Sequence, residues 1–183
     1  MSFFGSFLCD LVVRKGSGIK SVADFRGKRI SLDEPGSGTL VDARIILEAY
    51  GLSEDDLKPE YVKPDIAVEK IKNNLFDGFF IVAGFTTKSV DDLANTIGAE
   101  LIPITGPAAE SVIDKFGFFS ADVIPAGAYN SIGETKTLSV IAQWVVDAEL
   151  DSELVYQVTK AIWNPRARLL FEKGHPKALK ITL

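Results

Sequence analysis

An α/β fold with a largely parallel sheet is predicted by three observations. Short β-rich runs alternate with stretches of helical periodicity along the chain. Asp77–Gly84, "DGFFIVAG", is an apolar run of buried-strand length closed by glycine. Residues 29–51, "RISLDEPGSGTLVDARIILEAYG", pass from a strand through a glycine-rich loop into an amphipathic helix.

The elements follow in order. Leu8–Arg14 is a β-rich run, followed by the flexible "KGSG" of Lys15–Gly18. Ser21–Arg26 reads as a short helical turn with Val22 and Phe25 on one side, and Lys28–Leu32 as the next strand. In the helix Leu40–Tyr50, Leu40, Ala43, Leu47 and Tyr50 recur at spacings of three and four, and Gly51 ends it. Ser53 caps a short acidic turn. Asp65–Leu75 is a second amphipathic helix with Ile66, Ile71 and Leu75 inward.

After the apolar run, Thr86 and Thr87 are placed to cap a further helix. Phe79 and Phe80 read as core, and Asp77 as a turn residue. Leu101–Ile104 is a strand and Ala108–Phe116 a helix. Ala121–Tyr129 is a strand interrupted by Pro125 and Gly127, read as a crossing between lobes. Thr137–Val146 is the longest strand, with Leu138, Val140, Ala142 and Trp144 on one face. Asp151 or Ser152 caps a helix carrying Leu154, Val155, Val158 and Ile162. Asn164-Pro165 opens the last helix, which Gly174 and Pro176 end. Trp144 and Trp163 read as packing residues.

Bulk numbers exclude several classes. With 46% hydrophobic and 25% charged residues over 183 positions, the composition is globular rather than disordered. The net charge is −5 with no block of consecutive Lys or Arg, which argues against a nucleic-acid partner. No apolar run approaches the ~20 residues of a spanning helix. Cys9 is the only cysteine, which rules out an intramolecular disulfide and a Cys-based zinc site. His175 is the only histidine and reads as a surface residue beyond a helix end, so a Ser-His-Asp triad is not expected. The start, "MSFFGSFLCDLVVRKGS", lacks a basic n-region and a small-residue cleavage site, and makes a poor signal peptide.

The chemistry concentrates in Pro35, Gly36, Ser37, Gly38 and Thr39. The first N–H groups of a helix have no intrahelical partner, and the peptide dipoles add partial positive charge there. Gly36 and Gly38 allow close backbone approach, and Ser37 and Thr39 add hydroxyls. A carboxylate or phosphate suits that arrangement. A helix start merely capped by Ser37 or Thr39 fits the same residues, and both readings stand from the residues alone. Neither the dinucleotide fingerprint nor the Walker A loop is present, and no cofactor or metal is called for. Asp33 and Glu34 either face solvent or meet a cationic part of a ligand. Arg44 reads as a salt-bridging residue. A second strand-to-helix junction, Gly84-Phe85-Thr86-Thr87, would face the same cleft.

Four segments in order, "LVVRKGSGIKSVADFRGKRISLDEPGSGTLVDARIILEAYGLS", "DGFFIVAGFTT", "IPAGAY" and "LVYQVTKAIW", resemble the TAXI family of TRAP-transporter solute-binding proteins. The resemblance runs from about Leu11 to the C-terminus. It implies a type II periplasmic-binding-protein fold of two lobes, a Venus flytrap, with no catalysis. It also implies a periplasmic or extracytoplasmic location, a small carboxylate or glutamate-like amino acid as ligand, and delivery to TRAP membrane permease subunits. By matching motifs, Pro35, Gly36, Ser37, Gly38 and Thr39 become the ligand-facing loop. Ala83, Gly84 and Phe85 become the second cleft segment, and Tyr129 a residue near the return crossing. Family members carry a signal peptide and a glycine-rich "GGxxGxYY"-like segment before the part that matches, so the chain reads as a fragment. Residues 28–125 are then one nearly complete lobe, and 1–27 with 126–183 are parts of the other. Exposed apolar surface on those parts would favour self-association. Two other classes on this architecture stay open: the effector domain of a LysR-type regulator, and a phosphoribosyl or tetrapyrrole transferase.

Overall fold

The computed structural model describes residues 3–84, 86–143 and 145–174. The chain divides into a larger unit, Phe7–Val140, and a smaller one formed by residues 1–6 and 141–183.

In the larger unit a mixed sheet is sandwiched between helices. Its strands are β1 (Phe3–Arg14), β2 (Arg29–Ser31), β3 (Lys58–Glu60), β4 (Gly78–Ala83), β5 (Ala99–Leu101), β6 (Phe119–Ile124) and β7 (Thr135–Gln143), of which residues 3–6 and 141–143 fall outside the larger unit. Their order is β3-β2-β4-β1-β7-β6, with β5 also paired to β1. Helices α1 (Gly38–Ala49), α2 (Pro64–Lys72), α3 (Lys88–Thr96) and α4 (Gly106–Lys115) complete it. The short turns Val22–Phe25 and Glu54–Asp56 are 3-10 helices, each with the Ser and Asp of a capping box.

The parallel part is smaller than expected. β2 pairs parallel with β3 and β4, but β1 runs antiparallel to both β4 and β5, and β6 to β7. Alternation along a strand reports which faces are buried and carries no information on direction. β1 alternates cleanly: Leu8 and Val12 enter one core cluster, while Cys9, Leu11 and Val13 enter the other. Phe79 and Phe80 likewise divide between the two clusters, both almost fully buried. The first face is covered by Leu40, Ala43, Ile46 and Leu47 of α1 and by Ala109 and Val112 of α4. The second is covered by Ala67, Val68 and Ile71 of α2 and by Val90 and Leu93 of α3. The result is three layers.

Residues 7–27 and 126–140 pack within this unit. β1 lies inside the sheet, Ile19, Val22 and Phe25 fill the first cluster, and Tyr129 and Ile132 the second. Pro125 and Gly127 lie in a turn: the Ala128 N–H donates to the Pro125 carbonyl and the Gly127 N–H to that of Ile132.

Helix α2 ends earlier than its periodicity suggests. Asn74 takes a left-handed φ of 58°, and the Leu75 N–H reaches back to the Lys70 carbonyl at 2.8 Å. Leu75 and Ile66 are therefore exposed, and Ala67, Val68 and Ile71 form the inward stripe.

Asp77 does more than turn the chain. Its carboxylate accepts from the Arg29 backbone N–H and Nε at 2.9 and 3.1 Å and from Nη2 at 2.6 Å, tying the start of β4 to β2. The Arg29 side chain holds the Asp77 carboxyl below the ordinary value. A carboxylate with a depressed folded pKa stabilises above its unfolded value, and that contribution is lost as pH falls through the folded one. We expect Asp77→Ala to cost about 1–2 kcal/mol near neutral pH and to flatten the acid limb of stability, read by denaturant melts across pH.

In the smaller unit, α5 (Ser152–Ile162) and α6 (Pro165–Gly174) begin as read from sequence. The Asp151 side chain accepts from the Leu154 N–H, and Asn164 Oδ1 accepts from those of Arg166 and Ala167, each at 2.9 Å. Leu154, Tyr156 and Val158 of α5 are exposed. His175 and Trp144 lie outside the described residues.

Candidate ligand-binding site

The loop between β2 and α1 is shaped by two left-handed residues, Asp33 at φ 72° and Gly36 at φ 86°. Asp33 Oδ1 accepts from the Glu34 N–H at 2.8 Å, and the Ser37 N–H donates to the Glu34 carbonyl at 3.1 Å. Ser37 is the N-cap, its Oγ accepting from the Leu40 N–H at 3.1 Å. The cap reading is therefore correct, and it leaves the anion reading intact. The Gly38 and Thr39 N–H groups meet no acceptor among the described residues, and they open a helix of twelve residues. Pro35, Gly36 and Gly38 are exposed, and a Cβ placed on Gly38 would meet nothing within 4 Å.

The structure brings this helix start against the end of β4. The Thr39 Oγ1, buried, accepts from the Val82 N–H at 3.3 Å, one residue before Ala83. Ala83 and Gly84 are buried and follow directly, while Phe85 lies outside the described residues.

Tyr129 is only 2% exposed. Its hydroxyl accepts from the Thr87 N–H at 3.1 Å, lies 3.3 Å from Thr87 Oγ1, and donates to Asp10 Oδ2 at 3.5 Å. Thr87 occupies the N-cap position of α3, but its hydroxyl meets Tyr129 instead of a helix N–H. Tyr129 thus grips the junction after Gly84 from behind. Burial, then the Asp10 charge, pushes its phenol up. Tyr129→Phe is expected to cost about 1 kcal/mol and to speed amide exchange at Thr87 while leaving Leu40, on the other helix start, protected; hydrogen-exchange NMR reads both.

The neighbouring charges are largely accounted for. Glu34 lies 3.6 Å from Lys63 on the surface, and Arg44 makes two bonds to Glu54, at 2.9 and 3.2 Å, as its sequence reading holds. Two buried acids were not singled out from sequence. Asp42 is on the inward face of α1, and burial pushes its carboxyl up to about 6. Asp10 is in β1 between Cys9 and Leu11, 1% exposed. Burial, then the Asp42 and Asp10 charges, raise the Cys9 thiol well above its ordinary value, so it is inert at neutral pH. The signal for both acids was a lone Asp within an otherwise apolar run.

A family model described as the NMT1-like family matches residues 8–183. The chain belongs to the NMT1-like family. Three solved structures are similar to this NMT1-like chain over almost its whole length. The periplasmic aliphatic sulphonate binding protein SsuA from Escherichia coli is 16% identical at a TM-score of 0.55, over 95% of this chain and 45% of its own. A putative sulfonate ABC transporter periplasmic sulfonate-binding protein, SsuA from Methylobacillus flagellatus KT, is 17% identical at 0.52, over 98% and 49%. The alkanesulfonate-binding protein SsuA from Xanthomonas axonopodis pv. citri, bound to MOPS, is 21% identical at 0.50, over 98% and 52%. The likeness establishes the fold: α/β, of the type II periplasmic-binding-protein class. The chain spans about half the length of each of these proteins.

Proposed function

We propose that this chain forms one wall of the ligand cleft in an extracytoplasmic solute-binding receptor, with Pro35–Thr39 as the segment that holds the ligand's acid group. The observation that carries the reading is the pair of open N–H groups on Gly38 and Thr39, at the exposed start of a twelve-residue helix. Two parallel donors beside a helix's positive end suit a planar carboxylate or a sulfonate. Ala83 and Gly84, at the end of β4, adjoin that segment from beneath, where the Val82 N–H meets Thr39 Oγ1. Tyr129 acts through Thr87, which fixes that strand end in place.

Binding and release are the whole task in this reading, so the chain performs no catalytic step. The partner is a membrane permease. The ordered motifs that resemble TAXI proteins favour an ion-driven TRAP permease and a small carboxylate or glutamate-like amino acid. The sulfonate-binding proteins of the same fold make aliphatic sulfonates the second ligand class to test. In an intact receptor the opposite wall of the cleft comes from a second lobe.

Thermal denaturation of the protein with a panel of small carboxylates, amino acids and alkanesulfonates tests the proposal. A saturable rise in Tm with one member supports it, because a ligand bound to the folded state alone stabilises by mass action. No rise with any anion refutes it.

A further inference from the structure

The outer end of the sheet holds a cavity between β6, the last strand in the order, and α4. The pairs Phe119↔Val140, Ala121↔Leu138 and Val123↔Lys136 alternate with pairs turned the other way. These six side chains therefore share the face that α4 covers. Phe119 and Leu138 are buried there in one cluster with Ala109 and Val112 of the helix. Beyond them the facing residues are small, Gly106 and Ala109 on the helix and Ala121 on the strand, and the two layers leave a gap. It measures about 330 Å³ and is bounded by Ile104, Gly106, Ala109, Ile113, Ala121 and Leu138, with Val123 39% exposed at its mouth.

The polar groups of this cavity gather at one end. The Ile104 N–H donates to the Lys136 carbonyl at 3.1 Å, which sets the start of α4 beside Lys136. Lys136 is exposed and makes no ion pair among the described residues. Thr105, at the N-cap position of α4, borders the same end, and its hydroxyl caps no helix N–H. The two acids at the cavity are placed differently. Asp122 turns to the opposite face of β6 and accepts from the Val123 N–H at 2.8 Å. Glu110 is on the exposed side of α4, next to Ala109. A volume of this size with an apolar floor and a cation at one end fits a small molecule that has both an apolar and an acidic part. A plain anion would gain nothing from the floor, and a hydrocarbon nothing from Lys136.

We propose that this cavity is a second binding site, for a small linear amphiphile with an acid head group. Its chain lies along Ala109, Ile113, Ala121 and Leu138, and its carboxylate or sulfonate meets Lys136. None of the Pro35–Thr39 residues forms part of the walls, so the site is separate from the ligand loop.

Three probes of equal chain length test it: octanoate, octanol and octylammonium. Each is titrated into nitrogen-15-labelled protein carrying Gly38→Val, so that an acid group resting on the loop cannot supply the result. Octanoate is expected to shift the Gly106, Ala121 and Val123 amides to a saturating end point, and to bind about tenfold tighter than the other two. Lys136→Gln removes that preference by weakening octanoate alone. Ala121→Leu fills the cavity from an exposed strand position and abolishes saturable binding of all three, with the melting curve confirming that the variant is folded. Shifts that do not saturate, or that saturate at other amides, overturn the proposal. A preference for octanoate that survives Lys136→Gln overturns it too, as does undiminished binding by folded Ala121→Leu protein.

Discussion

Gly78→Val is expected to remove more than about 3 kcal/mol of stability and to lower Tm by about 10 °C, or to prevent folding. Gly78 opens β4 opposite Val13 of β1 and beside Ile30 of β2. A Cβ there would sit 2.6 Å from the Val12 carbonyl oxygen and 2.9 Å from Val13 Cγ1. The first contact is with backbone that cannot rotate away. Relief would require β1 and β4 to part where six registered pairs join them, Leu8↔Ala83 through Val13↔Gly78. Both core clusters share those strands, so the loss falls on each. Circular dichroism melts of the variant measure it.

Gly38→Val carries the largest functional effect and almost no structural one. The new side chain enters open space, the residue is not in the left-handed region, and the Ser37–Leu40 cap is untouched. Valine at the first helical position costs a few tenths of a kcal/mol at most. It fills the volume in front of the Gly38 and Thr39 N–H groups, so affinity for the acid-bearing ligand falls by about 100-fold or more. Gly36→Ala provides the contrast: its φ of 86° makes the change a backbone one, costing about 1 kcal/mol without blocking the donors. Calorimetry separates the two variants.

Local chemistry made much of the fold legible. Ser37, Ser53, Asp151 and Asn164 start their helices or turns because a short oxygen-bearing side chain can satisfy a helix's first N–H groups, and each signal lies within a few residues. Phe79 and Phe80 read correctly as core because strand residues alternate faces whichever way the strand runs. What stayed hidden depends on long-range placement. The Arg29–Asp77 clamp joins positions 48 residues apart. The antiparallel course of β1 appears only in its pairing with distant residues, Leu8 with Ala83 through Val13 with Gly78. Tyr129 was singled out, but its partner Thr87 is 42 residues away, so its burial and its grip on the junction appear only once folded. Asp42 did not stand out because a helical stripe with one polar position is usually read as a tolerated edge, and its place on the buried face of α1 is a three-dimensional fact. The loop from Pro35 to Thr39 was legible as a motif, and its two open donors required the structure.

The most direct measurement is a titration of the protein, labelled with nitrogen-15, followed at the Gly38 and Thr39 amide resonances. Addition of glutamate or an alkanesulfonate is expected to move both amides downfield to a saturating end point, as N–H groups do on donating to an anion, with Leu40 far less affected because its N–H already donates to Ser37 Oγ. Saturable binding that leaves Gly38 and Thr39 unmoved would contradict the account and confine the loop to the task of starting a helix.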